Sequence, residues 1–84
     1  MSQTDTTEVE ELVLEMARAL VDAPDAVELQ CVNGEDSTVV RLRVAPTDVG
    51  KVIGKQGRTA RSIRTLLSAA GMKLNRRFTL EILE

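Results

Sequence analysis

The sequence predicts an α+β protein of two layers, with three helices on one face of a three-stranded mixed sheet in the order α-β-β-α-α-β. Three observations carry this. Apolar residues near the start recur at the helical period. Three separate short runs alternate apolar with polar residues, the period of a half-buried strand. Between the second and third of these runs lie two helical segments parted by a pair of glycines.

The elements follow in order. Residues 1–7 are polar and are expected to form a disordered tail, leaving 8–84 as a single domain. Thr7 and Glu10 have capping-box spacing. Val9, Leu12, Val13, Met16, Ala17 and Leu20 then make one apolar stripe, so a helix is expected from about 8 to 21, ended by Ala23-Pro24-Asp25. Val27, Leu29 and Cys31 alternate with Glu28 and Gln30 as a first strand. Asn33-Gly34-Glu35-Asp36 is a hairpin turn, and Val40, Leu42 and Val44 alternate with Arg41 and Arg43 as the antiparallel partner. Pro46-Thr47-Asp48 suits the opening of a short helix through Ile53, with Thr or Asp as its cap. A longer helix is expected from Arg58 to Ala70, burying Ala60, Ile63, Leu66, Leu67 and Ala70, with Gly71 ending it in the left-handed conformation. Phe78, Leu80 and Ile82 alternate with Thr79 and Glu81 as the last strand. A strand reached through helices runs parallel to the one before it, by a right-handed crossover.

An 84-residue chain that is 43% apolar suffices for one small core. Cys31 is the sole cysteine, which excludes an intrachain disulfide and suits a reducing, cytoplasmic setting. Its strand position makes it a buried, inert thiol. No apolar run approaches the length of a membrane span, and no signal-peptide pattern opens the chain. Net charge is −2, but it is segregated. Residues 1–40 hold ten acids and one base, Arg18, whereas residues 41–77 hold ten bases and one acid, Asp48. Such an asymmetry points to a charged partner. Neutralisation of one half of the chain by the other would use the same pattern.

The run Val52-Ile53-Gly54-Lys55-Gln56-Gly57-Arg58, with Ile63 beyond it, is the motif that carries chemistry. Glycine lets another backbone approach closely, and the start of a helix presents unpaired N–H groups and a positive dipole end. Lys55 and Arg58 add full charges there. A nucleotide-binding P-loop is excluded: Gly50 to Gly54 leaves three intervening residues where four are required, and Gln56 stands where Ser or Thr should follow the lysine. Catalysis lacks its usual groups. The chain has no His, Cys31 has no partner, and the acids of the first helix suit a solvated face. No metal and no cofactor is expected, and the chain reads as a non-enzyme. Phe78 is the only aromatic, which excludes RNA-binding modules that stack bases on exposed rings.

The glycine motif, its basic flanks, Ile63 and the α-β-β-α-α-β order together resemble the KH domain in its type II arrangement. The stretch Ala45-Pro46 and the run Gly50 to Ala60 are similar to the KhpA group of small bacterial RNA-binding proteins made of one KH domain. Ala60 departs from the large aliphatic residue of the general KH pattern. The resemblance implies binding of single-stranded RNA, the loop clamping about four nucleotides of backbone, in a post-transcriptional regulator or RNA chaperone. It implies close approach at Gly54 and Gly57, with Lys55 and Gln56 projecting toward phosphates. Val52, Ile53, Ala60 and Ile63 would border an aliphatic groove, and some of them must also serve the core. Lys51, Arg58 and Arg61 would contact phosphate beside the loop. Arg64, Lys73, Arg76 and Arg77 are further candidates, Arg64 fitting a solvated helix face equally well. The resemblance also allows a protein-interaction module, as a homodimer or a heterodimer with a larger KH-containing RNA-binding protein. Neither the RNA target nor its base preference is written in the sequence.

Overall fold

The computed structural model of the protein describes residues 5–83. It contains α1 (Asp5–Leu20), β1 (Glu28–Asn33), β2 (Ser37–Arg43), α2 (Val49–Ile53), α3 (Arg58–Leu74) and β3 (Arg77–Leu83). Single 3₁₀ turns at Pro24–Ala26, Pro46–Asp48 and Lys55–Gly57 join them. The order is the expected one. In the sheet β2 is central, antiparallel to β1 and parallel to β3.

Register explains which side chains meet the helices. Leu29 pairs with Leu42 and Cys31 with Val40 across the hairpin, while Phe78, Leu80 and Ile82 pair with Thr38, Val40 and Leu42 on the other side. These residues share the face under the helices. Buried Val40, Leu42, Phe78 and Leu80 meet Val9, Val13 and Ala17 of α1, Val52 of α2, and Ile63 and Leu67 of α3 in one core. The opposite face is wet and paired by charge, with Arg41 Nε 3.1 Å from Glu81 Oε1 and Arg43 Nε 3.9 Å from Glu28 Oε1. Exposed pairs of this kind contribute at most about 1 kcal/mol each.

Three expectations are corrected. First, α1 begins at Asp5, so Thr7 lies inside the helix and does not cap it. Of the tail expected for residues 1–7, positions 5–7 belong to this helix and positions 1–4 lie outside the described residues. Second, the buried stripe of α1 is Val9, Val13 and Ala17, while Leu12 is 50% exposed and Leu20 38%; on α3 Leu66, expected to be buried beside Leu67, is likewise 48% exposed. Residues four apart stack on one face of a helix, and Leu12 sits about 100° round from Val13, on the flank. Third, α3 runs through Gly71 to Leu74, and Asn75 (φ 59°, ψ 45°) is the left-handed residue that ends it. Asparagine is the second residue type suited to that cap. Gly71 is buried for a different reason: a Cβ there would collide with the Arg76 carbonyl oxygen at the entry to β3.

Candidate nucleic-acid interface

The loop between α2 and α3 is built on positive φ angles. Gly54 stands at φ 80°, ψ 169°, a region open essentially to glycine alone. A Cβ on it would also run into the side chain and backbone of Thr59. Gln56 (φ 58°, ψ 26°) and Gly57 (φ 74°, ψ 12°) are both left-handed. For Gln56 that conformation costs about 1 kcal/mol. The Gly54 N–H donates to the Gly50 carbonyl at 2.8 Å and the Gly57 N–H to the Gly54 carbonyl at 3.0 Å, closing the turn on itself. No side chain caps α3, so no side-chain acceptor covers the positive end of its dipole. Where a Cβ of Gly57 would stand there is open space within 4 Å. Gly54 is thus required by the fold, and Gly57 leaves room for a visitor.

Lys55, Gln56, Arg58 and Arg61 are exposed around this turn, and Arg64 lies exposed one turn further along α3. The aliphatic border is narrower than expected. Val52 is completely buried, and Ala60 and Ile63 are nearly so, which makes all three core residues. Ile53, 38% exposed, is the member of that set that offers apolar surface. Successive residues of a helix point about 100° apart, so Val52 and Ile53 cannot both face the same way.

Lys51 is also placed differently from a free phosphate ligand. Its Nζ lies 3.3 Å from Asp22 Oδ2 and 3.8 Å from Asp48 Oδ1. Asp48 is buried, and instead of capping α2 its Oδ2 accepts the Ala23 N–H at 3.0 Å. Sequence spacing gave no signal of this bond, whose partners are 25 residues apart.

Lys73, Arg76 and Arg77 lie at the other end of α3. At 1.5 Å per residue Lys73 is about 22 Å from the start of α3 along the helix axis, and Arg76, whose N–H bonds back to the Gly71 carbonyl, lies about 20 Å from it. Arg76 is engaged there. Its Nε donates to Thr38 Oγ1 at 2.8 Å, its Nη2 to the Gly34 and Ser37 carbonyls at 2.9 and 3.3 Å, and its Nη1 to the Glu35 carbonyl at 3.4 Å. Thr38, fully buried, passes the network on by donating to Asn33 Oδ1 at 2.8 Å. Arg76 holds the β1–β2 turn. A cavity of about 680 Å³ opens beside it, walled in part by Asp36, Ser68, Met72, Asn75 and Arg77. The Asp36 carboxylate and the carbonyl end of α3 make it a poorer place for an anion than the glycine loop.

Cys31, expected to be buried, is only half-buried, because β1 is an edge strand of the sheet. Desolvation, a hydrogen bond to Glu10 and the negative charge of that carboxylate push its thiol up to about 12. Among the described residues no group of three or more His, Cys, Asp or Glu is arranged to hold a metal, and no helix is long and apolar enough to cross a membrane.

Three helices on one face of a mixed sheet, with a glycine turn between the second and third, define a KH domain of type II. The model of the KhpA/KhpB KH-domain family matches residues 10–82, and the chain belongs to that family. It is 55% identical over 73 residues to the RNA-binding protein KhpA of Caldanaerobacter subterraneus subsp. tengcongensis, covering 87% of this chain and 97% of the relative. The KhpA protein of Borreliella burgdorferi is 53% identical over 74 residues, with 88% and 90% covered. That of Clostridium acetobutylicum is 49% identical over 75 residues, with 89% and 100% covered. These relatives are named for binding and not for a reaction. Among solved structures, Era of Aquifex aeolicus aligns with a TM-score of 0.58 at 21% identity, over 88% of this chain and 29% of that one. This last likeness concerns the fold alone.

Proposed function

We propose that the protein binds single-stranded RNA at the Gly54–Gly57 turn, acting in the cytoplasm as a post-transcriptional regulator or RNA chaperone. The observation that carries this is the open left-handed Gly57 at an uncapped helix start, ringed by exposed Lys55, Arg58 and Arg61. Phosphates approach the backbone where no Cβ intervenes, and the three cations fix them in register. Ile53 offers an apolar edge to the adjoining base. The names of the relatives support the choice of RNA.

Lys55→Asp with Gln56→Asp tests this reading. Both glycines stay, so the turn survives, while the charge beside the phosphate path falls by three. Binding of a fluorescent single-stranded RNA should drop at least about tenfold, roughly 1.4 kcal/mol, with the melting temperature nearly unchanged. Arg18, in the acidic half, is the matched control, and its substitution should leave affinity as it is. With about three phosphates neutralised, log K should fall against log salt with a slope of roughly −2. A doubly acidic loop that binds as well as the parent would overturn the reading. The second reading, an interaction module pairing with another copy or with a larger KH protein, is favoured by exposed Leu12 and Leu66 on α1 and α3. Its association should depend weakly on salt.

A further inference from the structure

We propose that Lys51 is not a phosphate ligand and that Lys51 and Asp48 are positioning residues that aim the glycine turn, an inference that rests on the RNA reading for its binding arm. The starting point is the length of α2. Five residues make little more than one turn, too few to hold a direction unaided. Yet Gly54 follows it directly, so the direction of α2 sets where the turn points. Two contacts supply that direction. Val52 is inserted into the core, and Asp48, at the foot of the helix, is 1% exposed with its carboxylate on the Ala23 N–H. Asp48 thereby ties the chain leaving α1 to the helix that carries the turn.

Lys51 completes the tie. Its ammonium lies between the buried Asp48 carboxylate at 3.8 Å and Asp22 at 3.3 Å. Asp22 is mostly exposed, so that contact is weak on its own. Asp48 is different, because a buried carboxylate that loses its cation is left under-compensated. Drawing Lys51 away to a phosphate would strip Asp48 of that charge and loosen the foot of α2. With two carboxylates around it, Lys51 also presents no net positive charge to a strand. Lys55, beyond Gly54 and exposed, has neither restraint.

Three single variants separate the roles, each measured for affinity to single-stranded RNA at several salt concentrations and for amide hydrogen exchange without RNA. Lys55→Gln should lower the magnitude of the salt slope by about 0.7, the value of one phosphate contact. Lys51→Gln and Asp48→Asn should keep the parental slope while affinity falls about fivefold, the equivalent of roughly 1 kcal/mol of coupling. In the free protein both should speed exchange at the Gly54 and Gly57 amides, with Val40 and Leu42 still protected. If Lys51→Gln lowers the slope as Lys55→Gln does, Lys51 is a phosphate ligand and the proposal fails. It fails equally if folded Asp48→Asn binds like the parent with unchanged exchange at the turn. Should Asp48→Asn not fold, Lys51→Gln, at a half-exposed side chain, decides alone. A parent protein that does not bind RNA would sink the functional reading, while the exchange result would still judge the positioning role.

Discussion

The two ends of α3 carry similar residues in different settings. At its start stand two glycines, a left-handed Gln56 and a group of cations; at its finish stand Gly71, a left-handed Asn75 and another group of cations. At the start, the donors of Lys55, Arg58 and Arg61 face water, and Gly57 leaves open space. At the finish, the Arg76 guanidinium makes four hydrogen bonds to Thr38 and the carbonyls of Gly34, Glu35 and Ser37. A cation is available to a ligand only when its donors are not already taken within the chain. Charge alone does not distinguish the two ends: at the finish Arg76 is engaged, while Lys73 and Arg77 remain exposed like the cations at the start.

Gly54→Ala should have the largest effect. It forces a side chain into both a glycine-only conformation and the space held by Thr59, and should cost about 3 kcal/mol or more in chemical denaturation. A loss below about 1 kcal/mol would show that the turn relaxes freely and that its glycine is not structural. Arg76→Met comes next. Loss of the four bonds, one of them to buried Thr38, should cost about 2–3 kcal/mol, with the RNA salt slope unaltered in the folded variant. Arg76→Lys should not restore it, because an ammonium lacks the planar fork that reaches several acceptors. A reduced slope in Arg76→Met would break the comparison, since it would mean that the far end also holds phosphate.

Gly57→Asn sharpens the contrast between the two loop glycines. Asparagine tolerates the left-handed region, and no atom obstructs its Cβ, so stability should change by under about 0.5 kcal/mol while RNA affinity falls several-fold. An equal loss of stability at Gly54 and Gly57 would erase the distinction. The smallest signal is at Cys31, which reports on the hairpin end. A thiol with a pKa of about 12 has a thiolate fraction at pH 8 of about 10⁻⁴, so labelling of the parent should be slow. Arg76→Met should speed it, and Lys55→Asp with Gln56→Asp should not. Because the folded pKa is raised from 9.0 to about 12, the protonated thiol's contribution to stability is fully present below pH 9 and is lost as pH rises toward 12.

Much of this was legible in the chain. Alternation at residues 27–31, 40–44 and 78–82 encodes three strands with one buried face, and the helical link before the last run encodes its parallel pairing. The glycine turn was legible too, because it is a local motif with the basic residues alongside. Leu12 and Val13 were not separable by periodicity, since both fall within the width of an apolar stripe and only the neighbouring layer selects which is covered. The end of α3 was misplaced for a related reason: Gly71 is a helix terminator by composition and a packing residue by position.

By itself, the sequence determined the order of elements, the buried face of the sheet and the place of the glycine turn, because these depend on neighbours within a few residues. The tertiary structure alone decided that Val52 turns inward and Ile53 outward, that Asp48 reaches back 25 residues to Ala23, and that Arg76 reaches 42 residues to Gly34. Which polar group is already satisfied is a property of groups brought together by folding, and no local pattern of residue types records it.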